Sequence, residues 1–171
     1  MSADRLSVKV RWMIRRDMEA VLRIEKECFE YPWSRGDFEA TLRQRNSIGM
    51  VAETDDHQVA GFVVYSLEKG RIILDSFAVS KDFRWSGVGA QMLGHIKSKL
   101  SPCRRTEIVA VVRETNLPAQ FFFKRLGFFA VGILRGYYDE TQEDAYRFRF
   151  SVSDPLPATV NRITYLLKKG G

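Results

Sequence analysis

The chain has 171 residues, 45% hydrophobic and 28% charged, which is enough apolar material for one compact globular core. No apolar run approaches membrane-spanning length, and Asp4, Arg5 and Lys9 break the basic-then-apolar order of a secretory leader, so a soluble cytoplasmic protein without membrane contact is expected. The net charge of +6 favours anionic partners, but Arg15, Arg16, Arg43, Arg45, Arg104, Arg105, Lys168 and Lys169 are dispersed, and no nucleic-acid-binding motif accompanies them.

In chain order, Val8, Val10, Trp12 and Ile14 alternate as a first strand, and Asp17 can cap a helix carrying Met18, Val21, Leu22 and Ile24. Tyr31-Pro32-Trp33 interrupts the periodicity, and Ser34 with Asp37 forms the signature of a capping box opening a second helix through Phe38 and Leu42. Residues 47–53 and 59–67, joined by Asp55-Asp56-His57-Gln58, read as a hairpin, and Lys69-Gly70 turns the chain into the apolar strand Ile72 to Val79. A third helix carries Val88, Met92, Ile96 and Leu100, with Pro102 beyond its end. Glu107 to Val112 is a continuous apolar run suited to a buried strand. The next helix has Pro118 in its first turn, an inward stripe of Ala119, Phe122, Phe123 and Leu126, and Gly127 as its stop. Phe128 to Leu134 and Ala145 to Val152 supply two last strands, with Tyr137-Tyr138 in the loop between them. The expected order is β-α-α-β-β-β-α-β-α-β-β over residues 8–152, followed by a possible helical extension over 153–171.

The most informative segment is Arg84-Trp85-Ser86-Gly87-Val88-Gly89-Ala90, placed between an apolar strand and a helix. Its two glycines let backbone N–H groups approach phosphate oxygens, and the following helix adds its positive dipole end. Such a loop also serves as an ordinary turn, so its neighbours decide. Cys28 and Cys103 have neither metal-binding nor redox spacing and read as free thiols, and no metal site is expected. His57 in a turn and His95 on a polar helix face read as surface residues.

The element order, the R-x-x-G-x-G/A loop at Arg84 to Ala90, and Asn116 followed by Phe121-Phe122-Phe123-Lys124-Arg125-Leu126-Gly127-Phe128 resemble the GCN5-related N-acetyltransferase superfamily. Within it, Tyr31-Pro32-Trp33-Ser34, Gly136-Tyr137-Tyr138 and Glu143-Asp144-Ala145 look like the bacterial enzymes that acetylate the N-terminal alanine of a ribosomal protein. The resemblance implies an α/β (α+β) fold with a central mixed, largely antiparallel sheet of about six or seven strands flanked by helices. It also implies acetyl-CoA as co-substrate. Phe77, Ala78 and Val79 would meet the pantetheine through their backbone, the loop amides from Ser86 to Ala90 would hold the diphosphate, with Arg84 and Trp85 beside it, and Phe123 would line the cofactor site. Asn116 would contact the pantetheine, and a helix cap is fully compatible with it, since one side chain at a helix start can serve either purpose.

The match breaks at the expected acid and base. The general-base carboxylate of the N-terminal acetyltransferase group stands five residues before the Asn, here Val111, and the tyrosine that protonates the departing thiolate stands seven residues after it, here Phe123. A base used by other branches corresponds to Ile73, eleven residues before the loop arginine. Asp75 on the same strand and Glu114 just past the next one are the substitute catalytic candidates, each with a structural alternative as a paired or solvated carboxylate. Tyr31, Trp33, Tyr137 and Tyr138 are candidates for ordering a substrate. A protein N-terminus, such as that of a ribosomal protein, is the expected acceptor. A small-molecule amine and a catalytically impaired CoA-binding module remain the alternatives.

Overall fold

The computed structural model describes residues 5–153, so all but the first residue of the C-terminal extension lies outside the described residues. The chain divides between Lys99 and Leu100 into two compact units. In the first, β1 (Lys9–Trp12), β2 (Ser47–Glu53), β3 (Val59–Leu67) and β4 (Gly70–Val79) pair successively and antiparallel. The hairpin expected from residues 47–53 and 59–67 forms with those bounds, because their continuous apolar runs need burial on both faces of the sheet and the Asp-rich turn between them does not.

Helices α1 (Met18–Cys28) and α2 (Arg35–Leu42) cover one face of this sheet. Met18, Val21 and Ile24 of α1 and Phe38 of α2 pack with Val51, Phe62, Val64 and Ala78. Phe38 stands edge-on to both Trp33 and Phe62, with ring centroids 5.1 and 5.6 Å away. The capping box of α2 is as the sequence indicated: the Ser34 amide donates to Asp37 at 2.7 Å and the Asp37 amide to the Ser34 hydroxyl at 3.2 Å. Asp17 does not cap α1. Its carboxylate accepts from the Ile14 amide and from both terminal nitrogens of Arg11, at 2.8 and 2.9 Å, because a nearby guanidinium outcompetes the helix amides. Burial opposes its ionisation, but Arg11 and the Ile14 amide hold its carboxyl below the usual range.

Helix α3 (Val88–Lys97) covers the opposite face with Val88, Met92, Leu93 and Ile96 buried, and Leu100 falls beyond its end. Close approach of α3 depends on Gly61 of β3. His95 is half-buried rather than at the surface, and burial lowers its imidazole pKa.

In the second unit, β5 (Arg105–Arg113) pairs antiparallel with β7 (Glu143–Ser151), which pairs antiparallel with β6 (Phe129–Tyr138). Among the described residues, the seven strands and four α-helices follow the expected order, and every pairing within either unit is antiparallel. Tyr137 and Tyr138 are not in a loop. They end β6, which runs past Leu134 although its register is irregular between Ala130 and Gly132 and between Leu134 and Tyr138. Helix α4 (Leu117–Arg125) buries Phe123 on Phe128, Phe148 and Phe122, but its buried face also includes Gln120. The Gln120 amide donates to the carbonyls of Arg113 and Glu114, at 3.1 and 2.9 Å, so a polar side chain takes a place that an apolar stripe would miss.

A methyl group on Gly61 would lie 2.8 Å from the Ala78 carbonyl oxygen and 2.9 Å from the Met92 sulfur. Methionine can yield and the β4 backbone cannot. Gly61→Ala is therefore expected to destabilise the chain by about 1–3 kcal/mol, read as a lower urea midpoint with unchanged slope. An unchanged midpoint would contradict this packing.

Candidate active site

The sequence-marked loop begins where β4 ends. A 3-10 turn, Lys81–Phe83, follows the strand, and Arg84 to Gly87 then lead into the first turn of α3. Trp85 and Gly87 both have left-handed backbone, φ 64° and 83°. Glycine takes this conformation without strain and tryptophan does not. Among the described residues, no backbone carbonyl or side chain accepts from the amides of Trp85 to Ala90. Gly87 caps α3 without a side chain, so the amides of Val88, Gly89 and Ala90 are the unpaired donors of a helix start. Such amides, together with the helix dipole, suit an anion.

Arg84 is otherwise engaged. Its guanidinium donates to the Val79 carbonyl oxygen at 3.4 Å and to the Cys28 sulfur at 3.2 Å. The Trp85 side chain is 85% exposed. Phe77, Ala78 and Val79 pair through β4 with Val63, Phe62 and Gly61. Cys28 and Cys103 are both free thiols, and burial raises the pKa of Cys28 against the pull of Arg84.

Asp75 is the extra residue of a β-bulge, since Leu74 pairs with Tyr65 and Ser76 with Val64. The bulge presents its carboxylate to solvent, where it accepts from the Ser66 hydroxyl at 2.5 Å. Desolvation by the surrounding protein lifts its pKa above the ordinary aspartate value, with the Ser66 bond opposing and Glu68 adding repulsion. No arginine pairs with it among the described residues.

A second carboxylate carried no sequence signal. Glu25 of α1 is 2% exposed, and it accepts from the Trp33 amide at 2.9 Å and from the Ser76 hydroxyl at 3.1 Å. One buried side chain thus ties the α1–α2 connection, with Tyr31 and Trp33, to β4. Burial pushes its pKa up, only partly offset by the two donors. Its helical position beside Ile24 and Lys26 looks ordinary until the fold brings Ser76 to it. Tyr31 is 44% exposed, whereas Trp33 packs inward on Phe38.

In the second unit, Val111 is half-buried on β5 opposite Arg147, and Phe123 lies in the aromatic core. Neither position carries a titratable group. Asn116 caps α4, its Oδ1 accepting from the Ala119 amide at 3.2 Å, which leaves its Nδ2 without a protein partner among the described residues. Glu114 is exposed and accepts from the Asp144 amide at 3.3 Å. Tyr137 is 51% exposed, and the Arg113 guanidinium lies 3.6 Å from the centroid of the Tyr138 ring. Desolvation raises the Tyr138 phenol pKa, with Arg113 opposing. Arg113 also donates to Thr141 at 3.1 Å and pairs with Glu143 at 3.4 Å, contacts that no local sequence pattern marks. No group of three or more metal-ligating side chains occurs among the described residues, and no helix among them is long and apolar enough to cross a membrane.

The sequence model described as Acetyltransferase (GNAT) family matches residues 18–128, which include the loop, Asn116 and the aromatic helix. The chain belongs to this family. A [ribosomal protein bS18]-alanine N-acetyltransferase of Salmonella typhimurium is 28% identical over 139 residues, covering 80% of this chain and 93% of that protein. An N-alpha-acetyltransferase of Sulfurisphaera tokodaii is also 28% identical, over 145 residues, covering 76% and 84%. Among solved structures, the ribosomal-protein-S18-alanine N-acetyltransferase of Escherichia coli superposes with a TM-score of 0.75 at 22% identity, covering 87% of this chain and 96% of that one. Ard1 of Thermoplasma volcanium gives 0.77 at 24% identity, covering 87% and 100%. These structures share the mixed α/β fold, and as a GNAT family member the chain is an acyltransferase.

The Glu25 anchor makes a pH prediction. A carboxyl whose pKa is raised by folding holds its proton more tightly in the native state, so its contribution falls as pH rises from the ordinary glutamate range through the raised value. Glu25→Gln keeps a partner for the Trp33 amide and for Ser76 but has no charge to bury. Urea denaturation from about pH 4 to 8 should show that the variant lacks this part of the parent's loss of stability. Glu25→Ala should cost about 1–3 kcal/mol by stranding two buried donors. Parallel pH profiles for parent and Gln variant would contradict the assignment.

Proposed function

We propose that this GNAT chain is a cytoplasmic N-acetyltransferase that transfers the acetyl group of acetyl-CoA to the α-amine of a protein N-terminus, of the ribosomal-protein-alanine type. The observation that carries the cofactor reading is the set of unpaired amides from Trp85 to Ala90 at the head of α3, which fits a diphosphate. The N-terminal acceptor is supported by the relatives that align over three quarters or more of this chain, which are named for alanine and N-alpha acetylation.

In this reading the neutral amine attacks the thioester carbonyl, the new C–N bond replaces the C–S bond, and the surplus amine proton is taken up as CoA leaves. Asp75 receives that proton, directly or through water. Its raised pKa makes it a better base than an ordinary aspartate, and its bulge leaves it open to solvent. Glu114 is the second carboxylate that can relay a proton. Asn116 donates from Nδ2 to the pantetheine while its Oδ1 keeps the helix cap. Tyr31, Trp33, Tyr137 and Tyr138 order the acceptor peptide.

Apolar residues at Val111 and Phe123 are compatible with turnover. Positioning two reactants is worth an effective molarity on the order of 10⁵–10⁸ M, against about 10²–10⁴-fold for acid or base catalysis. An α-amine of pKa about 7.7–8.0 is roughly a tenth neutral at pH 7, whereas a lysine amine near 10.4 is less than about 0.1% neutral. A site with weak base assistance therefore favours N-termini.

Initial rates on peptides with a free N-terminal alanine, on N-blocked lysine peptides and on polyamines test this reading. The α-amine peptides should react fastest, and Asp75→Asn should lower kcat by about 10–10²-fold and remove the carboxylate limb of the pH profile. Faster transfer to lysine or polyamine would overturn the acceptor. Unchanged kcat in both Asp75→Asn and Glu114→Gln would remove the proposed bases, and CoA binding without transfer to any amine would favour a binding module.

A further inference from the structure

The segment leading into β1 crosses the head of α3, and a single glutamine brackets it there. The Leu6 amide donates to the Ser86 carbonyl at 3.0 Å. The Gln91 side chain donates to the Leu6 carbonyl at 2.6 Å and accepts from the Val8 amide at 3.3 Å, while the same Nε2 lies 3.1 Å from the Gly87 carbonyl. These bonds consume loop carbonyls and leave the loop amides untouched.

The bracket fixes where Arg5 goes. A methyl group on Gly87 would lie 3.2 Å from Arg5 Cγ, 3.7 Å from Cδ and 3.6 Å from Nε, so the arginine stem rests on the bare face of that glycine. Gly87 is the residue from which α3 starts, and its φ of 83° brings the backbone close under the arginine. The Arg5 guanidinium has no hydrogen-bond or ion-pair partner among the described residues, and the side chain is exposed. Arg84, the arginine within the loop, is held by Val79 and Cys28. The uncommitted guanidinium lying on Gly87 therefore comes from the N-terminal segment.

We propose that Arg5 is a diphosphate-binding residue of the acetyl-CoA site, donating to phosphate oxygens held by the loop amides, and that Gln91 is the positioning residue that keeps Arg5 on Gly87. This rests on the reading of Trp85 to Ala90 as the diphosphate cradle. A guanidinium suits the task because its planar donors match two phosphate oxygens and its charge persists at all working pH values. The charge is exposed, so its effect is modest and weakens with salt.

The test is titration calorimetry of the full chain with CoA and with dephospho-CoA, at low and high salt, for the parent, Arg5→Gln, Arg5→Lys and Gln91→Leu. Arg5→Gln should weaken CoA binding about three- to tenfold at low salt and less at high salt, with the same loss for dephospho-CoA, which keeps the diphosphate. Arg5→Lys, which keeps the charge but not the paired planar donors, should recover only part of the affinity. Gln91→Leu should reproduce part of the loss, and adding it to Arg5→Gln should cost little more. Equal CoA affinity in the parent and Arg5→Gln overturns the proposal. So does a loss that disappears with dephospho-CoA, which would assign Arg5 to the 3′-phosphate, and so does tighter binding by Arg5→Gln, which would make the segment an obstruction. A parent chain that binds no CoA overturns the functional reading itself.

Discussion

A helix cannot satisfy its own first amides, and among the described residues nothing accepts from those of α3. An ordinary helix start fills the need with a serine, threonine or aspartate cap, as Ser34 does for α2. The α3 start has Gly87 instead, with φ 83° and no side chain. The donors from Trp85 to Ala90 remain available because the surrounding structure supplies geometry without supplying acceptors. The buried residues Val88, Met92, Leu93 and Ile96 pack α3 against the sheet, and the N-terminal segment bonds to the loop's carbonyls. Trp85, held at φ 64° in spite of its side chain, shows that the loop's path is imposed by its anchors.

A second constraint shapes the opposite face of the same sheet. Burying Glu25 opposes its ionisation, and the Trp33 amide and Ser76 hydroxyl offset only part of that penalty. An apolar residue there would bury more easily but would leave the α1–α2 connection without its tether to β4. The Asp75 bulge lies on the same strand, next to Ser76. One strand thus carries the anchored connection, the candidate base and the entry to the glycine loop. Asp75 differs from Glu25 in having solvent access, which lets a carboxyl with a raised pKa exchange its proton.

Local patterns were readable wherever the stabilising partner lies close in sequence. The β2–β3 hairpin and the Ser34–Asp37 box are of this kind, as is Pro118 at the start of α4. Readings failed where a distant partner overrides local preference. Asp17 looks like a cap, but Arg11 claims it. The inward stripe of α4 reads as wholly apolar, but the carbonyls of Arg113 and Glu114 draw Gln120 into it. Tyr137-Tyr138 looks like a loop because the β6 register breaks before it. Glu25, Arg113 and Arg5 had no signal at all, since the meaning of each is a contact that appears only on folding. Of the two apolar residues at the positions where the resemblance implies a base and an acid, Phe123 has a packing role: it fills an aromatic core with Phe128 and Phe148.

The central claim is that the Trp85 to Ala90 amides hold the diphosphate of acetyl-CoA. The most direct measurement is the backbone amide NMR spectrum of the chain titrated with CoA and, separately, with pantetheine. The account predicts large shifts at residues 85–90 with CoA and small ones with pantetheine, which lacks phosphate. Saturation with CoA that leaves those amides unmoved while others shift would contradict it.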